Sequence, residues 1–151
     1  MKMKIRLFVL FVFTAIVMSC SRPPDYLIEN EYIGRKVSIT NNKLKTTEIN
    51  NKLSGKIVKV NSGVEFKLRV SQGTHREGTD VILTSDDFLV VNTLETTSTT
   101  MGFLLKNKEH GLNVEVHYIL QKGEFYARKY LNIQSENDIT IERVDVEVVT
   151  L

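Results

Sequence analysis

Between residues 112 and 133 one set of side chains carries the chemistry of a sugar-binding surface: Glu115, His117, Tyr126, Arg128, Tyr130 and Asn132. Most fall at every second position, and successive side chains on a strand point to opposite faces, so a hairpin would gather them on one side. Aromatic rings stack on the apolar faces of pyranoses, while Glu, Arg and Asn can hold hydroxyls that water would otherwise hold. The same residues also suit an ordinary polar outer face, or the covered side of a second sheet. If Leu120 pairs with Phe125 across Gln121-Lys122-Gly123-Glu124, His117 stands opposite Arg128 and Glu115 opposite Tyr130.

Other chemistries have weaker spacing behind them. His75, His110 and His117 form neither HExxH nor a ligand pair at i and i+2 or i+4, so no metal site is expected. His75 sits in the glycine-flanked stretch 73–78, which reads as an exposed loop. Asp86 and Asp87 are adjacent and would point to opposite faces of a strand, so they read as a turn and a strand start. Asp145 and Glu147 match the spacing of an acid pair, about 7 Å apart on one face. The alternative is the wet side of a strand whose valines, Val144, Val146 and Val148, face inward. No GxSxG, Walker-type or GxGxxG sequence occurs, and neither a cofactor nor a catalytic residue is expected.

The only cysteine, Cys20, ends an apolar run in Val17-Met18-Ser19-Cys20. Lys2, Lys4 and Arg6 make a positive leader, and residues 7–18 are apolar except Thr14, too short to span a bilayer, which takes about twenty residues. Small or apolar residues before a cysteine resemble the lipobox of bacterial lipoproteins. That resemblance implies a signal helix, residues 1–19, that is cleaved off, and a lipid on Cys20. The expected place is the bacterial cell envelope, anchored at the outer membrane and facing the periplasm or the surface. With its thiol acylated, the chain has no cysteine left for a disulfide, a CxxC pair or a thiolate nucleophile.

Removing residues 1–19 from 151 leaves 132, enough for one domain with a real core. Three of the 20 basic side chains leave with the signal, so 17 face 18 acidic ones and the formal charge falls from +2 to −1. No basic patch then favours nucleic acid. The expected partners are the membrane, through the lipid, and glycans or envelope proteins.

Positioning these residues falls to strands. Pro23 and Pro24 stiffen a spacer after the anchor, giving residues 20–31 as lipidated cysteine and spacer and 32–151 as one β-sandwich domain. Helical periodicity is absent from the domain, and alternation recurs. In 64–70 every even position is apolar and every odd one is charged, which predicts one buried and one wet face. Strands are also predicted at 35–40, 43–49, 56–60, 80–84, 87–92, 112–120 and 125–133, separated by Asn- and Gly-rich turns. The apolar run 88–91 predicts a central strand covered on both faces, and the Thr-rich stretch 93–100 an edge strand. On the inner hairpin face only Lys129 is charged, and its ammonium could snorkel to the sheet margin. Ile139 and Ile141 are apolar at odd positions and Val144, Val146 and Val148 at even ones, which predicts a β-bulge near Glu142-Arg143.

Several segments in order resemble the N-terminal galactose-mutarotase-like "supersandwich" of bacterial glycoside hydrolases of the α-galactosidase kind. They are Val37-Ser38-Ile39-Thr40-Asn41-Asn42-Lys43-Leu44, Asn51-Lys52-Leu53-Ser54-Gly55, Glu65-Phe66-Lys67-Leu68, Ser85-Asp86-Asp87-Phe88, and Tyr126-Ala127-Arg128-Lys129-Tyr130 followed by residues 141–147. The resemblance implies an antiparallel β-sandwich, all-β in class, with an incomplete supersandwich as the alternative to a whole one. In that family a (β/α)8 barrel follows and carries the catalytic carboxylates, so no catalytic residue of the family falls within this chain. A non-catalytic carbohydrate-binding or accessory lipoprotein is the first expectation. The alternatives are the first part of a truncated or split glycoside hydrolase, and a structural envelope protein that binds protein partners along an edge strand.

Overall fold

A computed structural model describes residues 25–72 and 80–150, and within them all regular structure is strand apart from one 3-10 turn, Ser85–Asp87. Strands β1 (Asp25–Glu29), β2 (Ile33–Thr40), β3 (Lys43–Asn51) and β4 (Lys56–Lys59) form the first sheet in that order. The second runs β11 (Arg128–Ser135), β10 (Leu112–Ile119), β9 (Thr100–Asn107), β8 (Leu89–Thr93). A third joins β12 (Ile139–Asp145), β6 (Lys67–Gln72) and β7 (Val81–Thr84), and β13 (Val148–Thr150) pairs with β5 (Ser62–Val64). Every pairing is antiparallel, so the chain is an all-β sandwich, as the alternation predicts.

Turn chemistry sets the registers. Asn41 and Asn42 take φ of 51° and 59° between β2 and β3, the left-handed pair that a two-residue hairpin needs and that Asn tolerates. On β10, Leu112, Val114, Val116 and Tyr118 are buried, while Asn113, Glu115, His117 and Ile119 are only partly so. The buried set meets Phe103, Leu105 and Met101 from β9, Ile28 and Val37 from the first sheet, and Phe66, Leu68 and Phe88. Edge-on aromatic contacts stitch the layers, Tyr26 to Phe103 at 5.0 Å and Phe66 to Phe88 at 5.2 Å between ring centres. Each such side chain contributes roughly 1.5–3 kcal/mol by leaving water.

Several expectations change. Residues 25–29, predicted as spacer, are strand β1, and Ile28 is in the core. The strand expected at 64–70 breaks at Glu65 and Phe66, and Glu65 is buried instead of wet. The run 88–91 is not central: β8 is an edge strand with Leu89 and Val91 exposed, because only Phe88 and Val90 turn toward the core. Residues 94–99 form a loop, since the Thr97 hydroxyl accepts the backbone N–H groups of Thr99 and Thr100 and so competes with a ladder. Strand β9, with buried residues on both faces, has no counterpart among the predicted strands. The bulge in β12 lies where parity predicts it, between Ile141 and Arg143. The valines after it are not inward-facing in the expected way: Val144 and Val146 are exposed. Cys20, the predicted signal and His75 lie outside the described residues.

One arrangement governs the interior. Val64 pairs with Val148 and Lys67 with Asp145, so β5–β6 and β12–β13 are one continuous ribbon in a single register. It is interrupted on both strands at the same level, at Glu65-Phe66 and at Val146-Glu147. Continuing the register places Glu65 opposite Glu147.

Candidate functional site

The hairpin holds the sugar-face residues in a register two residues from the expected one. His117 stands opposite Tyr130, Glu115 opposite Asn132 and Ile119 opposite Arg128. The connection from 120 to 127 is longer than the tight loop expected, and because the slip is even, each side chain keeps its predicted face.

The six residues form two groups. In the first, His117 and Tyr130 stack with ring centres 4.6 Å apart and planes 5° from parallel. Glu115 Oε2 lies 3.1 Å from His117 Nε2 and accepts the Asn132 amide at 3.2 Å. The bonds from His117 and Asn132 hold the Glu115 carboxyl below its usual range. Gly102 sits across from His117 on β9, and a Cβ there would come within 3.1 Å of His117 Nδ1, so its bareness makes room for the ring. A cleft of about 260 Å³ opens beside the pair, lined by Leu94, Glu95, Thr100, Ile119 and both rings.

The second group stands in the connection and at the start of β11. Arg128 bonds the Glu124 carboxylate and the Tyr126 hydroxyl at 2.8 Å, and its guanidinium lies 5.2 Å from the centre of the Tyr126 ring. Glu124 was not among the predicted residues. It is the one described side chain with a buried oxygen, Oε2, that meets no hydrogen-bond partner. Tyr126 and Tyr130 remain 54% and 47% exposed.

A larger groove of about 600 Å³ lies elsewhere, among Thr40, Lys43, Lys45, Asn61, Ser62 and Asp86. No aromatic ring lines it. Lys43 is already spent on the carbonyls of Asp86 and Phe88, at 2.6 and 2.9 Å. Asp87 closes its own turn through Thr84, and Asp86 lies 3.4 Å from Lys45, so the two aspartates work apart, as their adjacency predicts. Asp145 and Glu147 also separate: Asp145 bonds Arg143, while Glu147, itself partly exposed, reaches the buried Arg35. His110 serves the β9–β10 turn, its N–H bonding Asn107. Among the described residues no group of His, Cys, Asp and Glu is arranged to hold a metal ion, and no helix is long and apolar enough to cross a membrane.

The strongest electrostatic feature is inside. Arg35, Glu65 and Lys129 have side chains 8%, 4% and 6% exposed. Glu65 Oε2 accepts the Tyr118 hydroxyl, lies 2.8 Å from Lys129 Nζ and 3.4 Å from Arg35 Nη2, while Oε1 accepts the Thr46 N–H. Arg35 grips Glu147 with both ends of its fork, at 2.9 and 3.1 Å, and Lys129 lies 3.5 Å from the same carboxylate. Arg35 and Lys129 also lie over the Tyr118 ring, 4.7 and 5.2 Å from its centre. Lys129 thus does not snorkel to the margin, because a buried carboxylate meets it in the core. Burial pushes the Glu65 carboxyl up, but the charges of Lys129 and Arg35 outweigh it and leave it below its usual range. Burial, with the Glu65 charge, pushes the Tyr118 hydroxyl well above 10, so it stays a donor. Sequence alternation missed this cluster; the lone charge on an apolar face, Lys129, was its one visible signal.

Compared with known proteins, the chain matches no family model, no curated protein and no solved structure.

Proposed function

We propose that this protein is a lipid-anchored, non-catalytic domain of the bacterial envelope that binds carbohydrate through the outer face of β10 and β11. The observation that carries the reading is the pair of half-exposed tyrosines, Tyr126 and Tyr130, each held in a defined orientation, one by Arg128 and one by His117. Fixed rings offer a stacking platform at low entropic cost. Glu115 and Asn132 beside Tyr130 supply hydroxyl partners. The lipobox at Cys20 supplies the anchor, and the resemblance to the galactose-mutarotase-like sandwich supplies the carbohydrate context. Calorimetry or a glycan array on wild type and on Tyr126→Ala/Tyr130→Ala tests it. Binding should fall at least tenfold in the double variant; a bound glycan whose affinity is unchanged removes this face from consideration.

A second reading, that the domain is the first part of a split or truncated glycoside hydrolase, is favoured by Ile141 and Val144 on edge strand β12 and Val146 just beyond it, all three exposed. An in-frame or frameshifted barrel encoded downstream would support it, and unrelated sequence would count against it.

A further inference from the structure

Among the described residues the buried cluster holds two cations, Arg35 and Lys129, and a single fully buried carboxylate, Glu65. Neutrality comes from Glu147, whose side chain is 38% exposed and which reaches the cations from the break between β12 and β13. It is therefore the only member open to exchange with solvent. The strand that follows it is also the least anchored: β13 pairs with β5 over three residues, the shortest ladder described, and among the described residues no strand pairs with its other side. Both ends of the arrangement thus favour release of one segment, with a charged socket left behind. Without Glu147 the one carboxylate of Glu65 faces two buried cations, and an uncompensated buried charge is costly, so the socket demands an anion whenever Glu147 leaves.

We propose that Arg35 and Lys129, with the Tyr118 ring beneath them, form a carboxylate-binding socket that Glu147 fills in cis, and that an extended peptide bearing a glutamate fills it in trans by taking the place of β13 on β5. The resident occupant defines the ligand. A bidentate fork and an ammonium match a planar carboxylate, and the edge of β5 that β13 occupies matches a chain that continues as a strand from that glutamate. Glutamate followed by β-branched residues, as in Glu147-Val148-Val149-Thr150, is the favoured form.

The test uses the full chain as wild type, Glu147→Ala and Glu147→Gln, and a fluorescent blocked peptide Val-Glu-Val-Val-Thr with its Val-Gln-Val-Val-Thr control. The Glu147→Ala protein should bind the glutamate peptide at least tenfold more tightly than wild type does, and the glutamine peptide at least tenfold more weakly than the glutamate one. Acetate should raise the melting temperature of Glu147→Ala above that seen in chloride at equal ionic strength, with no such gain in wild type. Should Glu147→Ala fail to fold, Glu147→Gln carries the same measurements. Equal binding of the two peptides, or no acetate effect, overturns the socket. Binding of galacturonate in preference to the glutamate peptide overturns the strand ligand.

Discussion

At Glu65 a single carboxylate takes hydrogen bonds from Tyr118, Lys129 and the Thr46 backbone. Its removal leaves two buried cations with Glu147 as their one carboxylate, so Glu65→Ala should lower stability by about 3–5 kcal/mol in urea unfolding, as should Lys129→Ala. The pair Glu65→Gln with Lys129→Met should recover much of that loss, and a cycle in which the two costs simply add would mean that the residues do not share one network. The pH dependence follows from the lowered carboxyl of Glu65. A carboxyl held below its unfolded value of 4.5 stabilises the fold fully above that pH, and the contribution drains as pH falls from there toward the folded value. Wild type should therefore lose melting temperature steeply below about pH 4.5, and Glu65→Gln should show a shallower fall; parallel curves would refute the assignment. None of this was legible from alternation, because period two records only that Glu65 lies off the apolar face. The ribbon turns at Glu65, and that turn carries an odd position inward.

Among the elements, the hairpins depend on a few backbone conformations. Gly111, at the β9–β10 turn, has φ of 64°, and a Cβ there would meet Asn137 Nδ2 at 2.6 Å. Gly111→Ala should cost roughly 1–3 kcal/mol, read as a lower urea midpoint with an unchanged slope. Gly102→Ala should act more locally, forcing His117 off Tyr130. Nuclear magnetic resonance shifts of the Tyr130 ring would report it, and unchanged ring-current shifts would show that the stack does not need the bare glycine. Element by element, the sequence carried what period two and turn residues encode: β2, β3, β10 and the bulge of β12. It hid β9, whose Gly102-Phe103-Leu104-Leu105 run offers no alternation, and it overstated β8, whose apolar residues include two that face solvent. Both errors have one cause. A continuous apolar run fits a doubly covered strand and an exposed edge equally well until the neighbouring strands are known.

For the molecule as a whole, the two sheets of four strands close well over Phe103, Tyr118 and Ile28, and the third sheet covers its side incompletely. Ile82 on β7, Ile141 and Val144 along β12 and Val146 just beyond it stay exposed, on or beside edge strands. Unprotected apolar edges promote pairing between chains. Val144→Lys/Val146→Thr should reduce concentration-dependent light scattering while leaving the melting temperature within about 2 °C, since the sites contribute little burial. Undiminished scattering would place the contact elsewhere. The sandwich class was legible from composition and alternation together, whereas its sheet order was not, since which strands become neighbours depends on crossovers that no local pattern records.

The four charges at the ribbon break also impose an order in time. Arg35 and Glu147 are 112 residues apart, and Lys129 stands 64 residues from Glu65. While the chain is being made, Arg35 and Glu65 emerge long before the residues that neutralise and seal them. The interior cannot close around a partial set of charges, so stable folding waits until residue 147 is available, and such distant contacts form slowly. A chain that stays open through most of its synthesis closes late, and the same four residues that lock the finished domain set the moment at which it can close.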